Sequence, residues 1–278
     1  MKSISPWLPV ILLTIGVISC SVASTSTTSS TTTFGTDVPD CSSGTITTNI
    51  DSNVPAWVQN NFTCVRAFMS GTNIVIETRS LPPYTSYYYG ASTSYAARHD
   101  TTAPTTPNPN VIATQTVVMT VPSSPAVATS QVSSGLGIVG IAVNGVVLFN
   151  DSANPPDNIA DELATMDSHG GHPTLGGIYH YHNAASAIYT LSNDTNGVLL
   201  GIALDGFPIY GKKNSSGTLV FASGNNWVAA NGDTALTTYP HYHAVYNNYL
   251  TTSSGTSVEL AYLIGDYMAG TKGTVTSN

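Results

Sequence analysis

Residues 138–149 read IVGIAVNGVVLF, and residues 199–210 read LLGIALDGFPIY. Each is an apolar run divided by a turn-forming dipeptide, Asn144-Gly145 in the first and Asp205-Gly206 in the second. Such a dipeptide between apolar residues is the strongest short-range signal for a β-hairpin. The two runs align without a gap, 61 residues apart: Gly140 with Gly201, Ile141 with Ile202, Ala142 with Ala203 and Gly145 with Gly206. At the same offset His180-Tyr181-His182 falls on His241-Tyr242-His243. The pattern predicts a duplicated unit, a hairpin followed by a His-x-His strand.

Outward from these runs, short strand-like segments recur. They are 63–69, 74–78, 111–121, 137–143, 146–149, 199–204, 218–221, 242–246 and 258–264, separated by Gly, Asn, Asp and Pro. One short helix is predicted at 156–166 (PDNIADELATM), with Pro and Asp near its start. The Pro-rich stretch 101–110 reads as a loop. The fold class is therefore all-β or mainly β: a sandwich-like single domain with hairpins, long loops and at most one or two short helices.

Charged residues make up 8% of the 278, where an ordinary soluble domain has about 25%. With 7 Lys+Arg against 15 Asp+Glu, the net charge of −8 leaves no basic footprint for nucleic acid. It also leaves no polybasic surface for a membrane. The 41% of hydrophobic residues suffices for a core.

The N-terminus reads as an export signal over residues 1–20. Lys2 precedes an apolar stretch from Pro6 to Ile18 that is too short to span a bilayer. Two cleavage readings stand side by side. Val17-Ile18-Ser19-Cys20 resembles a lipobox, which would leave Cys20 lipidated and the protein membrane-anchored; Ser21-Val22-Ala23 suits ordinary cleavage. Residues 21–36 form a Ser/Thr-rich tether, and 37–278 the β-rich domain. In an oxidising compartment Cys41 and Cys64 are expected to pair, two buried free thiols being the alternative. Sequons begin at Asn61, Asn150, Asn193 and Asn214.

Six of the seven histidines lie between 169 and 243. On a strand, residues two apart share a face, so His180 projects with His182 and His241 with His243. Such a pair presents two imidazoles to one ion, and imidazole suits zinc, copper, nickel and iron. His169 and His172 stand just upstream in a Gly-rich loop. The six together are the candidate metal ligands. Asp167, Asp205, Tyr181 and His99 are candidates for orienting the imidazoles or for alternative ligation. Asp161 and Glu162 are adjacent and read as a solvated helix face. Tyr84 and Tyr87–Tyr89 read as packing residues. No G-x-S-x-G elbow, H-E-x-x-H motif or phosphate-binding loop is present.

The segments HGGHPTLGGIYHYHNAAS (169–186) and LLGIALDGFPIYG (199–211) resemble the YHYH domain family. The carrying motifs are Gly171-His172-Pro173, Tyr179–His182 and Asp205–Gly211, supported upstream by Leu81–Tyr84, Pro107–Asn110 and Gly140–Val146. The resemblance spans roughly 75–265. It implies a secreted or surface-attached protein whose shared site includes His172, His180, His182 and Asp205. It supplies no reaction. Members often carry a cysteine near the Gly-His-Pro lead, where this chain has Met166-Asp167-Ser168-His169; His169 or Asp167 would then take its place, and a copper–thiolate site is disfavoured. Three readings follow: an exported protein binding copper or zinc through histidine pairs, a metal-dependent enzyme of unknown substrate, and a structural surface or filament protein able to self-assemble.

Overall fold

The computed structural model describes residues 34–220, 240–245 and 248–278, together with the strand backbone of 227–228. The export signal, Cys20 and nearly all of the tether lie outside the described residues. Phe34 and Gly35 rest on the domain: Gly35 N–H donates to Glu77 Oε2 at 3.1 Å, and the Arg79 guanidinium lies over the Phe34 ring.

The protein is mainly β. A five-stranded sheet runs in the order Asn49–Ile50, Arg66–Ser70, Asn73–Thr78, Val117–Pro122 and Thr274–Thr276. An eight-stranded sheet runs Trp227–Val228, His241–His243, Pro208–Tyr210, Leu199–Ala203, Ile138–Ala142, Val147–Phe149, Tyr179–Tyr181 and His172–Pro173. One core joins the two sheets, with Ala67, Ile74, Ile76 and Met119 of the first packed with Ile141, Leu148, Ile202 and Ile209 of the second. That is the expected sandwich-like arrangement.

The eight-stranded sheet is built around a pseudo-twofold axis. At its centre the two hairpins pair antiparallel, Ile141 opposite Ile202, Gly140 opposite Ala203 and Ala142 opposite Gly201. Exchanging every residue for its counterpart 61 positions away leaves this set of pairs unchanged. Outward, Leu148 pairs with Tyr181 in parallel, and Ile209 pairs with Tyr242 in parallel, the same register 61 residues on. The central contact requires glycine. A Cβ on Gly140 would stand 2.5 Å from Ile202 O, and one on Gly201 2.6 Å from Ile141 O.

Both hairpins form, but not with the two-residue turn that Asn-Gly and Asp-Gly favour. Gly145 N–H donates to Ala142 O and Gly206 N–H to Ala203 O, each at 2.9 Å. Only the glycines take positive φ, +82° and +89°. Ala142 N–H donates in turn to Val146 O and Ala203 N–H to Phe207 O, so each is a three-residue loop closed by a left-handed glycine. The Asn144 and Asp205 side chains accept from the N–H two residues on, at 3.3 Å each, which holds the turn from outside.

Several other segments differ from the sequence expectation. The strand expected over 111–121 begins at Val117, because Ile112 and Ala113 instead bond outward to Tyr88 O and Gly177 O. The expected helix is confined to Ile159–Glu162 and a 3-10 turn at Leu163–Thr165, capped by the Asn158 side chain on Ala160 N–H. Tyr87–Tyr89 is a 3-10 turn whose Tyr88 and Tyr89 are core residues. Of 258–264 only Val258 and Glu259 are strand, the end of Ser257–Glu259, while Leu263 and Ile264 are buried in a loop. Residues 218–220 form no strand beyond a single bridge from Leu219 to Lys213.

Cys41 and Cys64 form the expected disulfide. It ties the N-terminal loop to the start of the Arg66–Ser70 strand and closes a loop worth roughly 3 kcal/mol in the chain-entropy model. Among the described residues no helix is long and apolar enough to cross a membrane.

The central glycine contact yields a first prediction. Gly201→Ala drives its methyl into the Ile141 carbonyl and lowers unfolding stability by about 1–3 kcal/mol. Gly176→Ala, whose Cβ would meet nothing nearer than Thr174 Oγ1 at 3.8 Å, changes it by less than about 0.5 kcal/mol. Urea unfolding of the two variants beside the wild type measures the difference.

Candidate metal centre

The strand Tyr179–Tyr181 carries the alternation that its sequence implies. His180 and His182 project to one side, and Tyr179 and Tyr181 to the other. His172 stands opposite His180 on the adjoining antiparallel strand. The ligand atoms of these three buried histidines all lie within 4.8 Å of one another, so the cluster can hold a metal ion.

Hydrogen bonds assign the tautomers. His180 Nδ1 lies 3.0 Å from Ile178 O, and His182 Nδ1 lies 2.6 Å from Asn150 O. A carbonyl only accepts, so both Nδ1 atoms carry the proton. Thr165 Oγ1 donates to Glu162 O at 2.8 Å and therefore accepts from His172 Nδ1, 2.5 Å away. All three Nε2 atoms are left as bare lone pairs facing one another. His180 Nε2 and His182 Nε2 are 3.0 Å apart with no proton between them, and buried His172 Nε2 has no hydrogen-bond partner. Ligand nitrogens about 2.0–2.1 Å from one zinc ion at a tetrahedral angle stand roughly 3.3 Å apart. The donor set fits such an ion, and the His180–His182 pair stands close to that spacing.

The surroundings keep the imidazoles neutral. Burial holds His172 down to about 3 and His182 to about 4, while His180 falls well below the ordinary histidine range, its two neighbouring histidines adding to the effect of burial. Neutral imidazole is the ligating form, so no protons need be shed near neutral pH. The Phe149 ring stacks on His180 at 3.9 Å.

Glu162 supplies a carboxylate that sequence reading assigned to solvent. Its Oε2 lies 3.5 Å from His182 Nε2 and 3.7 Å from His172 Nε2. Burial, with a smaller contribution from Asp157, pushes its carboxyl up to about 7. The overlooked signal was helical spacing: Glu162 and Thr165 are three apart, so both face the histidine strand from one side of the short helix. A cleft of about 810 Å³ opens over the cluster, walled by Asn108, Leu136, Pro156, Asp157, Glu162 and Leu175.

The other candidates lie elsewhere. His241 and His243 stand five strands away across the sheet, roughly 24 Å by strand spacing, and share no ion with His180 and His182. His169 stacks on the Tyr84 ring at 4.0 Å and lies outside the cluster. Asp167 is buried on the tyrosine side, where Tyr179 Oη donates to it at 2.9 Å and Ser86 Oγ at 2.5 Å. It therefore orients a tyrosine, not an imidazole. Tyr181 Oη meets Tyr84 Oη at 2.5 Å and accepts from Asn144 Nδ2 at 2.9 Å, also away from the histidines. Asp205 accepts from Tyr242 Oη at 2.5 Å and Gly270 N–H at 2.9 Å, in the other half of the sheet. His99 Nδ1 pairs with Tyr87 O at 2.8 Å. The sequon residue Asn150 is buried, its Nδ2 donating to Ser134 Oγ.

A mainly-β protein with a buried cluster of three histidines, two from a Tyr-His-Tyr-His segment and one from the adjoining strand, is the class that fold and site define. Residues 118–225 match the family model described as YHYH protein, so the chain carries a YHYH domain over that stretch. No curated protein and no solved structure matched significantly.

Acid titration follows from the depressed histidines. Unfolded histidine protonates near 6.5, while the folded groups resist until about 3 to 4. Between these values the unfolded chain binds more protons, so stability present above pH 6.5 is lost as pH falls toward 4. The metal-free protein should lose up to about 1.4 kcal/mol per pH unit for each such histidine. Calorimetric unfolding from pH 7 to 4 checks this, and His172→Gln should flatten the slope.

Proposed function

We propose that this chain is an exported protein whose YHYH domain binds a transition-metal ion, copper or zinc, through His172, His180 and His182. The carrying observation is the set of three inward-facing Nε2 lone pairs, each fixed by an Nδ1 proton spent on Ile178 O, Asn150 O or Thr165 Oγ1. Three neutral, buried lone pairs repel one another, and a cation at their centre turns that repulsion into coordination. An all-nitrogen set without thiolate suits Cu(II) or Zn(II) under oxidising conditions. Export rests on the N-terminal signal and on the habit of the family that the motifs resemble.

The ion would be held by the three Nε2 atoms, with Glu162 beside it. Total metal content of the secreted chain, without an added His-tag, tests the reading. One equivalent or more of copper or zinc is expected, and His180→Ala/His182→Ala should abolish the tight equivalent. A metal-free protein that also fails to take up either ion on reconstitution would remove this function.

One observation favours a second reading, a metal-dependent enzyme. The cleft gives outside molecules a route to the cluster, and Glu162 lines it. Three protein ligands and an open position are the pattern of catalytic zinc, whereas a closed four-ligand site is structural. Cobalt-loaded protein distinguishes the two by its visible absorption. With an open position, added azide shifts the spectrum; if Glu162 is a fourth ligand, azide has no effect and Glu162→Gln restores it.

A further inference from the structure

We propose that the cleft over the histidine cluster is the loading path for its ion. Asp157, Asp161 and Glu162 draw a hydrated divalent cation from solvent to the Nε2 atoms of His172, His180 and His182. The inference rests on the metal reading of those histidines and adds how the ion arrives.

The three carboxylates come from one short stretch of chain, and all line the cleft. Exposure falls from them to the cluster. Asp157 is exposed, Asp161 is half-buried and the Glu162 side chain is 22% exposed, while the His172 and His182 side chains keep 6% and 3%. Asp157 is near enough to Glu162 to act on its carboxyl. Asp161 Oδ1 accepts from Ser253 N–H at 2.9 Å, which fixes its carboxylate in place. Glu162 Oε2 reaches to 3.5 Å from His182 Nε2. The path ends on a group that lacks a cation: His172 is buried, lines the cleft and has no hydrogen-bond partner at Nε2.

The chain holds seven Lys and Arg, and none is among the described residues that line the cleft. Much of the remaining wall is apolar, with Phe149 and with Leu136 and Leu175, which are 56% and 93% exposed. A cleft with one sign of charge and low-dielectric walls focuses field lines, and it raises the on-rate of the opposite charge by about 10- to 1,000-fold. The same field turns anions away. The order of ligands suits a hand-over. Carboxylate oxygen takes hydrated divalent ions broadly, whereas imidazole favours the transition metals.

Stopped-flow loading of the metal-free secreted chain with zinc nitrate, followed by a fluorescent zinc indicator, tests this. Glu162 is kept, because it stands beside the ion. Asp157→Asn/Asp161→Asn is expected to slow second-order loading about 3- to 30-fold at about 0.01 M sodium nitrate. At about 1 M, where the Debye length is about 3 Å, the slowing should shrink below about twofold. Asp40→Asn/Asp51→Asn makes the same change of net charge on exposed residues outside the cleft, and should slow loading by less than about twofold at either salt. Should Asp161→Asn disturb its bond to Ser253, Asp157→Asn alone, at an exposed side chain, should show the same salt-dependent slowing. Equal rates for the wild type and both double variants, with zinc bound, overturn the loading path and leave the metal site. A slowing that salt does not erase marks a structural effect and also overturns the path. A wild type that takes up no zinc overturns both readings.

Discussion

The eight-stranded sheet depends on one close contact, the antiparallel pairing of two hairpins through Gly140 and Gly201. Each glycine lies under the other hairpin's carbonyl, where a methyl group would fall about 2.5–2.6 Å from oxygen. Because the pairing is self-complementary, three features outward of it occur twice: a turn closed by a left-handed glycine, a parallel His-Tyr-His strand and a tyrosine anchored to the turn. Sheet order then sets the distance between the two histidine pairs. The contact that creates the repetition also keeps the pairs apart.

Around Tyr179–Tyr181, the two faces of the strand do different work. Tyr179 and Tyr181 point into a network of phenols closed by Asp167, Ser86 and Asn144, which fixes the strand from behind. Burial raises the Tyr179 and Tyr84 hydroxyls well above the ordinary tyrosine range, so both act as neutral donors and acceptors. His180 and His182 point the other way, each with one nitrogen consumed by a main-chain carbonyl. Rigidity on the tyrosine side is what lets neutral imidazoles be held lone pair to lone pair, an arrangement that a mobile strand would relax by rotating a ring.

Burial and access are balanced at the cluster. The imidazoles are nearly sealed, which keeps them neutral, while Glu162 remains partly exposed at the edge of the cleft. A carboxylate pushed up toward 7 by burial and by Asp157 would be drawn back to its charged form by a cation beside it. Ion binding there would thus be coupled to the charge of Glu162, which lines the cleft.

Much of this was legible in the chain itself. The hairpins, the 61-residue offset, the shared face of His180 and His182 and the Cys41–Cys64 pairing all follow from local rules: turn chemistry, a strand period of two and an oxidising compartment. These rules act over a few residues and do not say which strands become neighbours. Tertiary pairing decided that His172 joins His180 and His182, that His241 and His243 stand apart, and that Asp167 and Asp205 serve tyrosines. It also brought Glu162 and Thr165 from a short helix to the histidine nitrogens. The physical reason is that side-chain direction is a property of local backbone geometry, whereas proximity across a sheet depends on strand order, which only the packed core and its long-range hydrogen bonds determine.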